Sequence, residues 1–292
     1  MRLRAVVGFT VLAVVAAGCG YNQITPTGAA PLRYRDQKFA AVTKTADITY
    51  GSAVDQSMVT QALKLDLYQP TGDAIQQRPA IVWVHGGGFS GGDKTSGEIV
   101  DEANWFSKEG YVNVSINYRL YGPGCSATQG AAAGCLQAIT DAQHDAQAAV
   151  RFLRKNATTY RIDPTRIAIG GSSAGAITAL QVAANSEDPG TSGNPGYSSA
   201  VGGAVSLSGA KLLGAAMTAG DAPFLDFHGT NDPLVPYQWA VNSVNEAKAA
   251  GIIAYLTTYP GEGHVPYNHR DEILSQETDF LYWMLNLAKA QQ

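Results

Sequence analysis

The stretch RIAIGGSSAGAI, residues 166–177, sets two serines side by side between a run that reads as a strand and one that reads as a helix. A serine on such a turn can act as a nucleophile, provided the chain also supplies a base, an acid to orient it and a site for a developing negative charge. Ser173 is the better candidate, because Gly171 and Gly175 bracket it as G-x-S-x-G. Small residues two before and two after let helix and strand approach closely around a strained serine. Centring the pattern on Ser172 would put Ala174 in the last small position, a poorer fit.

On the fold class that uses this elbow, the acid and then the histidine follow the serine along the chain. His264, in the glycine-flanked loop YPGEGHVPY, is the favoured base. His228 ends the apolar run FLDFHG and reads as packed or hydrogen-bonded, while His269 reads as a surface residue near a helix start. His144 falls in a helix and His85 precedes a glycine run. Asp232, in GTNDPLVP, is the favoured acid, and Asp226, inside the apolar run, reads as a buried strand carboxylate. The anion site is expected from HGGGF, residues 85–89. There Gly87 and Gly88 can turn backbone N–H groups toward an oxyanion, with the N–H of Ala174 as a further donor.

The elements that must hold these residues follow from hydrophobic periodicity. ADITYG and QALKLDLYQP alternate as an antiparallel pair, and PAIVWV is a continuous apolar run of the kind buried on both faces of a parallel sheet. From there helical stretches alternate with strand-like ones to the closing helix RDEILSQETDFLYWMLNLAKA, which predicts βαβ units on one open sheet. In such a sheet the loops leaving the carboxyl ends of the strands share one edge. HGGGFSGGDK, the loop after INYRL, GSSAG, GTNDPLVP and GEGHVPY all fall there.

With 45% apolar and 15% charged residues, the 292-residue chain reads as a globular body, and 32 glycines favour shaped loops over a plain helical bundle. A net charge of −4 gives no support to nucleic-acid binding. No pattern for a metal, a phosphate loop or a cofactor is present. MRLR followed by a 14-residue apolar run reads as an export signal over residues 1–18, too short to span a bilayer. Residues 19–44 read as a polar tether and 45–292 as the catalytic domain. Export leaves Cys125 and Cys135 in an oxidising setting, where a disulfide closing CSATQGAAAGC is the natural reading.

With HGGG, GSSAG, GTND and GEGH in this order, residues 45–290 resemble the α/β-hydrolase superfamily, in the esterase and lipase branch with an HGGG motif. HGGGFSGGDK, INYRL and RIDPTRIAIGGSSAGA are similar to small bacterial carboxylesterases, including feruloyl and acetyl-xylan esterase relatives, and HGTNDPLVPY to prolyl-oligopeptidase relatives. The AAGC ending of the apolar run resembles a lipobox, which implies lipidation of Cys19 and an envelope location, with plain secretion as the alternative. The resemblance implies a mostly parallel sheet flanked by helices, and ester hydrolysis by Ser173, His264 and Asp232 through an acyl-serine. The short stretch between AVSLSG and APFLDF predicts little or no cap. A prolyl-oligopeptidase-like peptidase and an inactive, hydrolase-like binding protein remain the other readings.

Overall fold

The computed structural model describes residues 21–125 and 133–291. The expected signal segment, Cys19 and the interior of the loop between Cys125 and Cys135 lie outside the described residues. Among those residues the strands are β1 (Val42–Val54), β2 (Thr60–Pro70), β3 (Arg78–Val84), β4 (Val112–Ile116), β5 (Ile162–Ser172), β6 (Ala204–Leu207), β7 (Phe224–Gly229) and β8 (Ala254–Tyr259). They form one sheet in the order β1-β2-β4-β3-β5-β6-β7-β8. β1 pairs antiparallel with β2, and β2 antiparallel with β4. From β4 onward every pairing is parallel.

Every residue of β3, β4, β6 and β7 is buried, as expected of strands covered by helices on both faces. The helices are α1 (Gly97–Glu109), α2 (Ala133–Lys155), the short α3 (Ala157–Tyr160), α4 (Ala174–Ala184), α5 (Tyr237–Ala249) and α6 (Arg270–Met284). All residues of α4, AGAITALQVAA, are buried. Its alanines combine high helix propensity with side chains small enough for the helix to sink between the sheet and its neighbours. Two apolar layers result, one packing α2, α4 and α5 and the other packing α1 and α6 against opposite faces of the sheet.

The described part of the segment that reads as a polar tether, residues 19–44, makes specific contacts with the rest of the chain. Tyr34 is 1% exposed and its N–H donates to Glu109 O at 2.8 Å. Arg33 pairs with Asp73, Gln23 donates to Asp279 Oδ2 at 2.7 Å, and the Tyr21 ring centre lies 5.0 Å from that of Tyr255. A few aromatic and charged anchors bind a segment whose average composition is polar. β1 also begins earlier than the alternation suggested, at Val42. Between Leu207 and Phe224 the chain forms neither helix nor strand, so no cap is inserted there, in line with the expectation.

Candidate active site

Ser173 sits where β5 ends and α4 begins, with φ 54° and ψ −118°. A side-chain-bearing residue in this region is strained, and the strain persists because its surroundings leave no room to relax. A Cβ on Gly171 would lie 2.5 Å from Val84 O, and one on Gly175 would collide with the Val84 carbonyl, 2.5 Å from its carbon. Both glycines of the elbow are therefore required by the closeness of β3. Gly170 is required for another reason: a Cβ there would overlap the buried Trp83 ring. Ser172, 1% exposed, turns the other way and donates to Glu98 Oε1 at 2.7 Å.

His264 and Asp232 converge on Ser173. Ser173 Oγ and His264 Nε2 are 2.7 Å apart, as are His264 Nδ1 and Asp232 Oδ2. The structure thus brings together all three residues singled out from the sequence. Asp232 follows β7, and its Oδ1 accepts the N–H groups of Leu234 at 2.9 Å and Val235 at 3.0 Å. Burial opposes its charged form, but hydrogen bonds from His228, His264, Val235 and Leu234 outweigh that and hold the carboxyl well below the usual carboxylate range. His264 follows β8. Val265 beside it has φ 52°, unusual for a β-branched residue, and its N–H donates to Ser208 Oγ at 2.9 Å.

The glycine run follows β3. Gly87 and Gly88 have φ of 114° and 59°. Gly87 O accepts the N–H groups of Ser90 and Gly91 at 3.0 and 3.1 Å, and Gly88 O accepts that of Cys125 at 2.8 Å. A trans peptide aims its N–H opposite to its C=O, so the N–H of Gly88 points away from the turn that captures Gly87 O. Ala174 opens α4, where leading N–H groups have no intrahelical acceptor. His85 lies beneath this loop. Its Nδ1–H donates to Gly86 O at 2.6 Å, its ring stacks on Tyr118 at 4.4 Å, and burial lowers its pKa.

Two clefts meet at Ser173. One, about 330 Å³, is walled by apolar side chains that include Phe89, Leu136, Ile139, Ile177, Leu213 and Trp239, with Gly88 and Ala174 also lining it. Cys125 and Cys135 also line it and are bridged, their Cα atoms 5.2 Å apart. The second cleft is lined by Gly86, Gly87, Gly88, Glu98, Ser172, His264 and Tyr267. Among the described residues no cluster of three or more metal-binding side chains occurs.

Several contributors escaped the sequence reading. Glu98, Ser208 and Val265 carry no motif, and only the folded sheet brings them to this edge. From the sequence, His228 reads as a packed or hydrogen-bonded ring and Asp226 as a buried strand carboxylate. Yet His228 Nε2 lies 3.3 Å from Asp232 Oδ2, and His228 Nδ1 lies 3.0 Å from Asp226 Oδ2. Their two-residue spacing on one strand face was the available signal.

Residues 65–202 match the BD-FAE family, and residues 212–291 the prolyl oligopeptidase family. Phenmedipham hydrolase of Pseudarthrobacter oxydans is 33% identical over 144 residues, 48% of this chain and 26% of that protein. Secreted lipase 5 of Gibberella zeae is 32% identical over 39% of this chain and 22% of its own length. The chain thus spans about a quarter of the length of these curated relatives. Esterase 2 of Thermogutta terrifontis, solved with butyrate bound, superposes with a TM-score of 0.66 at 21% identity over 80% of this chain and 93% of that one. A truncated carbohydrate esterase from gut microbiota gives 0.66 at 21% identity, covering 86% and 98%. These structural likenesses carry the fold.

Proposed function

We propose that this chain, which belongs to the α/β-hydrolase superfamily in its carboxylesterase and lipase branch, hydrolyses carboxylic esters through an acyl-serine intermediate. The observation that carries this reading is the pair of 2.7 Å contacts linking Ser173 to His264 and His264 to Asp232. Ser173 Oγ attacks the ester carbonyl carbon while its proton passes to His264 Nε2, and Asp232 stabilises the imidazolium. The carbonyl oxygen takes up the negative charge facing the N–H groups of Gly87, Gly88 and Ala174. As the tetrahedral intermediate collapses, His264 gives its proton to the departing alkoxide. Water then repeats the sequence on the acyl-serine and frees the acid and Ser173.

The two clefts divide the substrate. The alkoxide must leave within reach of His264 Nε2, so the alcohol lies in the cleft that His264 lines, and the acyl group in the apolar one. At about 330 Å³ the apolar cleft lies at the small end of ligand pockets, which suits short to medium acyl chains. The butyrate-bound and paraoxon-phosphorylated structures of the Thermogutta esterase support the same chemistry.

The prolyl oligopeptidase match covers Asp232 and His264, which keeps a peptidase as the second reading. A fluorophosphonate probe combined with p-nitrophenyl butyrate and a proline-containing peptide anilide separates the possibilities. Labelling of Ser173 with ester turnover is expected. Turnover of the anilide alone would favour the peptidase, and an unlabelled wild type would make the chain a binding protein.

Export and a lipid on Cys19 belong to the same reading, supported by the basic start and apolar run ahead of that cysteine. Labelled palmitate is expected in the wild type and absent from Cys19→Ser. Equal labelling of the two would refute the anchor.

A further inference from the structure

His228 is 0% exposed and occupies a hydrogen-bonding environment made almost wholly of acceptors. Its Nε2 lies 2.9 Å from Val235 O, a carbonyl that can only accept, so Nε2 carries a hydrogen. Its Nδ1 faces Asp226 Oδ2 at 3.0 Å. The other oxygen of Asp226 already accepts from Ser206 Oγ and from the N–H of Gly209 at 3.3 Å, as a carboxylate does. A bare Nδ1 would set two acceptors against each other in a dry site, so a proton lies between them. A second carboxylate, Asp232, lies 3.3 Å from Nε2 and favours keeping that proton on the ring.

We propose that His228 is a positioning residue for the reaction at Ser173: a permanent imidazolium, clamped between Asp226 and Asp232, that holds Asp232 in place and offsets part of its negative charge. This rests on the esterase reading above. The titratable groups facing His228 are Asp226 from its own strand, Asp232 from the following loop and Tyr237 from α5, whose ring centre lies 5.9 Å away. Ser206 of β6 contacts Asp226, and Thr258 of β8 is the ladder partner of His228. Burial works against the charged ring, but the hydrogen bonds to Asp226 and Asp232 prevail and push it up to about 10. Asp232 therefore presents to His264 a charge already part-balanced from behind. Loss of the His228 charge would leave that of Asp232 unopposed, which favours the protonated form of the group Asp232 contacts.

Two measurements test this. In the full-length wild type, the imidazole ¹⁵N resonances of His228 should both carry protons throughout pH 5–8, and a neutral ring there would overturn the proposal. In His228→Gln, which removes the charge, and in Asp226→Asn, which removes the acceptor that demands it, the acid limb of kcat/KM against pH should move up by about one unit. A merely structural His228 would lower Tm and the plateau while leaving the limb in place, and that result, with Ser173 still labelled by fluorophosphonate, sinks this proposal alone. An unlabelled Ser173 sinks the esterase reading together with it. Should either variant fail to fold, the wild-type resonances decide.

Discussion

Ser172 is tied to Glu98 by a 2.7 Å hydrogen bond across 74 positions of sequence, whereas Ser173, its neighbour, faces His264 at the same distance. The two adjacent hydroxyls are thus committed to different partners. Ser173→Ala is expected to cut kcat by about 10⁴-fold or more, because attack, proton transfer and acylation act as one unit. Ser172→Ala should keep turnover within about tenfold and lose ~1 kcal/mol of stability, the usual net contribution of a buried hydrogen bond. Ester assays and denaturant melts on the two variants check both. Loss of turnover in Ser172→Ala with turnover kept in Ser173→Ala would mean that the serines had been assigned the wrong way round.

Glu102 of α1 and Glu277 of α6 are both 0% exposed, and neither carboxyl has a hydrogen-bond partner among the described residues. Burial, and for Glu102 also the facing Glu277, push both well above the ordinary glutamate value. Above about pH 4.5 the folded state then holds protons that the unfolded chain releases, so this pair costs stability increasingly as pH rises toward the folded values. Below that pH the cost vanishes. Glu277→Gln should therefore raise Tm by ~2 °C or more at pH 8 and change it little at pH 4. A variant that melts lower at pH 8 would show the carboxylates to be paired in solution.

Removing the Cys125–Cys135 bridge frees a short loop, for which chain entropy gives about 3 kcal/mol. Both cysteines line the apolar cleft, so the loss should reach specificity as well as stability. Cys125→Ala with Cys135→Ala is expected to lower Tm and flatten the preference across p-nitrophenyl esters of rising acyl length. Reducing agent should reproduce this in the wild type and do nothing to the double variant.

Trp239 forms part of the apolar cleft wall, and Ile177 rises into the same space from α4. Trp239→Ala should move the best p-nitrophenyl ester toward longer chains, and Ile177→Phe toward acetate. Each shift is expected to be about tenfold in the kcat/KM ratio of octanoate to acetate, in line with 1–3 kcal/mol for a change in a hydrophobic pocket. An unchanged ratio in both would place the acyl group in the other cleft.

What could be read from the chain alone were features written into a few neighbouring residues. Gly171-x-Ser173-x-Gly175, the glycine run at 86–88, Asp232 and His264 each announce themselves within a loop, and strand–helix alternation places those loops on one edge. The links between distant stretches were not legible. Glu98 reaches Ser172, Glu102 comes to face Glu277, and Ser208 props up Val265, because sheet order sets which loops meet. The contacts of the N-terminal segment were not legible for a related reason: composition averages over residues, whereas Tyr34 and Arg33 each need only one pocket to hold the chain down.

That same segment has a geometric consequence. Tyr21 packs its ring, tilted by 57°, against Tyr255 near the start of β8, and Ile24 O accepts the indole N–H of Trp283 at 2.6 Å, where α6 ends beside Gly203 at the entry to β6. The described chain therefore begins toward the amino ends of the strands, with Ser173 and His264 at their carboxyl ends. A lipid on Cys19, two residues before Tyr21, would moor the molecule by its blind side. The catalytic mouth would look outward from the envelope, sampling esters that arrive from the surroundings rather than those dissolved in the membrane beneath it.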